Sequence, residues 1–157
     1  MNVKFPLATT TWGNQEYAVM QHVIDSGMFT MGPKVNAFES EFAKYIGSKF
    51  CVMVNSGSSA ILLMVAALFY SKNPLTKLKR GDEVIVPAVS WSTTYYPLYQ
   101  YGLKIKFVDI DINTLNYDLV QLEQAVGKKT RAIMAVNLLG NPNNFNCIKN
   151  VRSPWLH

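Results

Sequence analysis

Asn55-Ser56-Gly57-Ser58-Ser59 is the densest cluster of hydroxyl and glycine residues in the chain, and it lies between two apolar runs. If a strand enters and a helix leaves, the first helical amides have no intrahelical partner. Those amides and the positive end of the helix dipole make an anion site suited to phosphate, to which serine hydroxyls can add donors. Gly57 would allow a tight backbone turn. An ordinary serine N-cap with a turn glycine accounts for the same residues equally well. No Gly-Lys-Ser/Thr follows, so this is not a P-loop, and the GxGxxG of dinucleotide folds is absent.

Pro87-Ala88-Val89-Ser90-Trp91-Ser92-Thr93-Thr94 holds a second candidate. Trp91 could stack on a planar ring whose phosphate is held at 57–59, or it could be a packing tryptophan. Asp109 and Asp111 form a pair, but no further metal ligand is spaced with them, which favours a strand-end cap. The asparagines of Asn137-Leu138-Leu139-Gly140-Asn141-Pro142 read as turn formers. His22 falls within a helical pattern and reads as a surface residue, and His157 is the last residue, so no Ser-His-Asp or Cys-His arrangement can be drawn. Cys51 and Cys147 lie far apart, form no metal-spaced pattern and read as reduced thiols of a cytoplasmic protein.

These residues need elements to hold them. Apolar residues recur at helical spacing over Glu16–Ser26 and Val35–Ile46, which Gly27 and Gly47 end. Phe50–Val54 reads as a buried strand and Ser59–Tyr70 as a buried helix. Strands are predicted at Glu83–Pro87, Ile105–Ile110 and Arg131–Leu138, with helices at Ser92–Tyr101 and Leu119–Val126. Strands alternating with helices imply a mostly parallel sheet covered on both faces. Ligands of such α/β sheets sit beyond the carboxyl ends of the strands, which selects residues 55–59, 87–94, 109–113 and 137–142.

The chain has 157 residues, 49% hydrophobic and 16% charged, with a net charge of +5. This suits one domain and excludes disorder. The longest apolar run, Ile61–Tyr70, is far short of the roughly 18 residues of a membrane span. The N-terminus has no apolar segment of a signal peptide, so export is not indicated. Lysine and arginine are spread along the chain rather than set in a stripe, which argues for small anionic ligands over nucleic acid.

The sequence resembles the DegT-type family of pyridoxal-phosphate sugar-nucleotide enzymes, which have an aspartate-aminotransferase-like fold. Phe38-Glu39 with Phe42-Ala43, Val54–Ala60, Gly81–Ala88 and Phe107–Asp111 carry the general likeness. Pro6-Leu7-Ala8 with Thr11-Trp12, Met28–Gly32, Val89–Pro97 and Val136–Pro142 narrow it to the sugar-nucleotide 3-dehydratase branch. The resemblance implies pyridoxal 5'-phosphate (PLP) as cofactor, working in its pyridoxamine form (PMP). Ser58 and Ser59 would give amides to its phosphate, Gly57 would shape the turn, and Trp91 would stack on its ring. It also implies glutamate as amino donor, a GDP-sugar that loses its 3-hydroxyl on the way to a dideoxy sugar of lipopolysaccharide O-antigen such as colitose, and a homodimer.

A sugar-nucleotide aminotransferase of the same family and a non-catalytic remnant are the other readings. Ile61 departs from the asparagine usual in the dehydratases. Residues 1–150 are expected to be the N-terminal part of the cofactor-binding large domain, and 151–157 a tail outside the family pattern, left by truncation or frameshift. The family continues for about 200 residues more at its usual domain sizes. That part would hold the reaction-centre histidine or lysine and the aspartate that pairs with the pyridine nitrogen, so little turnover is expected of this chain alone.

Overall fold

Glycine marks the ends of the first helices. The computed structural model describes residues 9–151. Within it, α1 (Asn14–Asp25) begins after Gly13, whose amide donates to Glu16 Oε2 at 2.7 Å. Helix α2 (Pro33–Ile46) has proline in its first turn, where no N–H is needed, and stops at Gly47, whose φ of 75° suits a residue without Cβ. Both helices belong to the first of two compact units, which meet in sequence at Met53 and Val54. Among the described residues of this unit Ala43 alone is buried.

The strand expected at Phe50–Val54 does not form. Phe50 and Val52 are 76% and 69% exposed, and no strand pairs with them. A strand exists through its neighbour's hydrogen bonds, and here the Met53 amide donates instead to the Glu39 carboxylate at 2.8 Å.

The second unit is a parallel α/β layer. It contains α3 (Gly57–Phe69), β1 (Glu83–Pro87), α4 (Ser92–Gln100), β2 (Lys104–Val108), α5 (Leu119–Ala125), β3 (Thr130–Ile133) and α6 (Phe145–Asn150). The sheet order is β2-β1-β3, with both pairings parallel. From the central strand Val84 and Val86 enter one core with Val65 of α3 and Leu98 of α4. Ile85 enters the other with Val108, Tyr117 and Leu122 of α5. Burial on both sides explains why β1 reads as an unbroken apolar run. Helices α4 and α5 thus lie on opposite faces, as a constant crossover hand requires when one connection runs from β1 out to the edge strand β2 and the next runs back from β2 to β3.

Two expectations change here. Strand β3 stops at Ile133 rather than Leu138, apart from one further bond from Met134 N to Ile85 O at 2.9 Å. The Glu83 amide donates to Lys129 O on the β3 side, whereas Ala88 N donates to Val108 O on the β2 side. Odd-numbered amides of β1 therefore face β3, and Pro87 has no N–H with which to extend that ladder. Helix α3 is the second change. Val65 is its one fully buried residue, and Leu62, Leu63 and Met64 are exposed, so its apolar run covers more than the face it buries. The Tyr117 hydroxyl donates to Met134 O at 2.7 Å and lies 3.3 Å from Ile85 O, tying the loop after β2 to the end of β3. Burial, and to a smaller extent Tyr95, hold its phenol well above the ordinary value.

Candidate functional site

The N-terminus of α3 carries a closed set of hydroxyl contacts. Ser56 is the N-cap, and its Oγ accepts from Ser59 N at 3.2 Å and donates to Ser59 Oγ at 3.1 Å. Ser59 Oγ donates in turn to Asn55 Oδ1 at 2.7 Å, and Ala60 N reaches Ser56 O at 3.0 Å. The amides of Ser59 and Ala60 are thus engaged, while those of Gly57 and Ser58 and the Ser58 hydroxyl remain unpaired. Gly57 lies in the first helical turn without a left-handed φ, and a Cβ there would meet nothing within 4 Å. The fold itself does not need glycine for a turn, contrary to the sequence expectation. What glycine leaves is open space above two free donors.

Beyond the carboxyl end of β1, Ser90 Oγ and Thr94 Oγ1 are 2.9 Å apart and the Tyr95 hydroxyl donates to Pro87 O at 2.7 Å. Burial pushes the Tyr95 phenol up, against a smaller lowering by Ser90, so it keeps the proton it donates. Tyr95 also meets Phe107 edge-on at 5.3 Å between ring centroids. These contacts fix the start of α4. Trp91, its N-cap, is anchored by its backbone while its indole is 75% exposed, so it is not a packing residue here.

Helices α3 and α4 share an open cleft of about 230 Å³ lined by Ser58, Ser59, Leu62, Thr93, Tyr96 and Gln100. The structure thus brings Ser58 and Ser59 together with the segment after Trp91, although Trp91 itself does not line the cleft. The sequence reading did not single out Thr93, Tyr96 or Gln100. Their spacing of three and four residues, one face of a helix, is the signal that finds them.

The remaining candidates serve the loops. Asp109 Oδ1 accepts from Ile110 N, and Asp111 Oδ1 accepts from Asn113 N and Thr114 N, which is the capping role expected of them. Asn137 Oδ1 accepts from both nitrogens of Asn143, and Asn141 Nδ2 donates to Thr114 O at 2.6 Å. These asparagines therefore do more than turn the chain: Asn137 closes the loop after β3 on itself, and Asn141 ties that loop to the one after β2. His22 is exposed on α1, and Cys51 and Cys147 are half-buried free thiols. Pro6–Ala8 and His157 lie outside the described residues, as does the 151–157 tail apart from Val151. Among the described residues no group of three His, Cys, Asp or Glu is placed to hold a metal, and no helix is long and apolar enough to cross a membrane.

A parallel layer with a serine-capped helix aiming open amides past the strand ends defines a class. The chain belongs to the DegT/DnrJ/EryC1/StrS aminotransferase family, whose pattern matches residues 11–155. Within it, the chain is 62% identical over 149 residues to the GDP-4-keto-6-deoxy-D-mannose 3-dehydratase of Escherichia coli O55:H7, covering 95% of this chain and 38% of that protein. The solved E. coli enzyme with bound hydrated PLP superposes with a TM-score of 0.88 at 62% identity, over 95% of this chain and 38% of its own. A structure of the same enzyme class with a trapped PLP–glutamate geminal diamine also gives 0.88 at 62% identity, over 94% and 38%. The fold is therefore part of the large domain of PLP-dependent transferases, and the chain spans 38% of the length of the first of these relatives.

Proposed function

We propose that residues 1–150 are the N-terminal part of the cofactor-binding domain of a PLP- and PMP-dependent sugar-nucleotide 3-dehydratase. The observation that carries this reading is the 62% identity to the GDP-4-keto-6-deoxy-D-mannose 3-dehydratase over 95% of the chain. The reaction served is removal of the C3 hydroxyl of GDP-4-keto-6-deoxymannose, with glutamate as amino donor. A family aminotransferase is the weaker reading, because aminotransferase relatives match at lower identity.

The residues present fit the cofactor. Gly57 and Ser58 hold unpaired amides at the positive end of α3, the missing Cβ of Gly57 leaves room for a close approach, and Trp91 offers an exposed aromatic face. When bound, PLP would supply an electron sink for proton loss from the carbon that bears the amine nitrogen. The chain's own residues position it. The Gly57 and Ser58 amides bind the phosphate, with Ser59 locking the cap that aims them, and Trp91 fixes the plane of the ring and shields one side from water. Ser58, Ser59, Leu62, Thr93, Tyr96 and Gln100 include no lysine or histidine, so the cleft binds and orients without moving a proton.

A GDP-sugar, glutamate and a second copy of the chain are the partners we assign, with no nucleic acid and no membrane. The exposed apolar side of α3 supports self-association. The two free thiols support a reducing, cytoplasmic setting.

Titrating the protein with PLP tests the reading. Saturable quenching of tryptophan fluorescence is expected, lost in Trp91→Phe, and binding should be weakened about tenfold, or about 1.4 kcal/mol, in Gly57→Ala. Equal binding by the parent and Gly57→Ala would overturn the assignment.

A further inference from the structure

Asn55 holds chemistry that the cofactor site does not use. It is exposed, lies in a bend just before α3, and is followed by the small residue Ser56, whose backbone amide has no hydrogen-bond partner. Its own Nδ2 group has none either. The other described asparagines differ. Asn73 and Asn141 precede proline, which has no N–H; those of α1, α2 and α6 lie in helices; and the rest are followed by bulkier residues.

We propose that Asn55 is a site of spontaneous deamidation promoted by Ser59. The Ser56 amide nitrogen gives its proton to solvent base and attacks Asn55 Cγ. A C–N bond forms and closes a five-membered ring; Nδ2 takes a proton back from solvent, the Cγ–Nδ2 bond breaks, and ammonia leaves the succinimide. Water then opens the ring to aspartate or isoaspartate, with no oxidation or reduction. Negative charge builds on Oδ1 during the attack, and Ser59 Oγ donates to that oxygen at 2.7 Å. A donor already aimed at a developing oxyanion lowers the barrier, and no hydrogen bond restrains the leaving group. The new carboxylate stands beside the free amides of Gly57 and Ser58, where it competes with phosphate for the positive end of α3. This last consequence rests on the function proposed above; the reaction does not.

The test incubates the purified chain at mildly alkaline pH and follows each asparagine by peptide mass spectrometry. The mass increase that accompanies exchange of NH2 for OH is expected first at residue 55. Ser59→Ala should slow it several-fold, and Ser59→Thr, which keeps the hydroxyl, should restore the rate. Reaction at other asparagines ahead of Asn55, or a Ser59→Ala rate equal to or above the parent's, overturns the proposal. A deamidated chain that binds PLP as before would instead count against the phosphate site alone, leaving the reaction standing.

Discussion

At the scale of single residues, Gly57 separates fold from function. With nothing within 4 Å of its missing Cβ and no left-handed φ, alanine fits the helix at least as well. Gly57→Ala is expected to raise stability by about 0.5 kcal/mol in chemical denaturation, because alanine loses less backbone entropy on folding, while weakening PLP binding. A loss of both would mean that the glycine serves the backbone after all. Ile61, which the family resemblance reads as standing in place of an asparagine, lies one turn into α3, and Ile61→Asn is expected to tighten PLP binding several-fold in the same titration. Ser56→Ala should cost about 1 kcal/mol through loss of the cap. The cluster was legible in the sequence because glycine and serines between two apolar runs mark a helix start. Which amides stay free was not, because that depends on the direction of the Ser56, Ser59 and Asn55 hydrogen bonds.

At the scale of elements, local signals succeeded where the chain terminates its own structure. Strand β1 runs as read, Glu83–Pro87, since Gly81 and Pro87 punctuate it. Phe50–Val54 and the far end of β3 were misread because a strand's existence and length are set by a neighbour distant in sequence, and Pro87 ends the β3 ladder from the next strand. Helix α6, six residues long, carries too short a pattern to be seen. Helix α5 gives an element-scale prediction. Its N-cap Asp118 accepts from Gln121 N, Gln121 Nε2 and Val120 N, and these bonds, the one from the Gln121 backbone amide foremost, hold its carboxyl below the ordinary 3.8. A lowered folded value stabilises at pH above the unfolded value, and that contribution is lost as pH falls through the lower folded one. Acid unfolding followed by circular dichroism should therefore begin at higher pH for the parent than its cap-neutral variant Asp118→Asn predicts from neutral-pH stability. An unchanged difference between the two across the acid range would remove Asp118 from the titration.

At the scale of the whole molecule, the sequence motifs led to the right family and fold because they fall at the helix starts and strand ends that ligands meet in α/β layers. The extent of apolar exposure was less legible, since periodicity reports which residues are apolar and not which are covered. With PLP and glutamate, the 157-residue chain is expected to release no α-ketoglutarate in a coupled assay, given a cleft without lysine or histidine. Measurable release would place a proton-moving group among residues not assigned to the cleft.

The sheet order β2-β1-β3 has a colloidal consequence. Among the described residues both outer strands present a row of unpaired backbone groups, the surface along which sheets of separate molecules can join. Each edge also carries an exposed cation, Lys104 on β2 and Arg131 on β3. Copies that meet edge to edge bring like charges together, and 0.1 M salt screens such repulsion beyond about 10 Å. Light scattering at rising salt should therefore show faster aggregation, because these two charges oppose joining along the sheet edges.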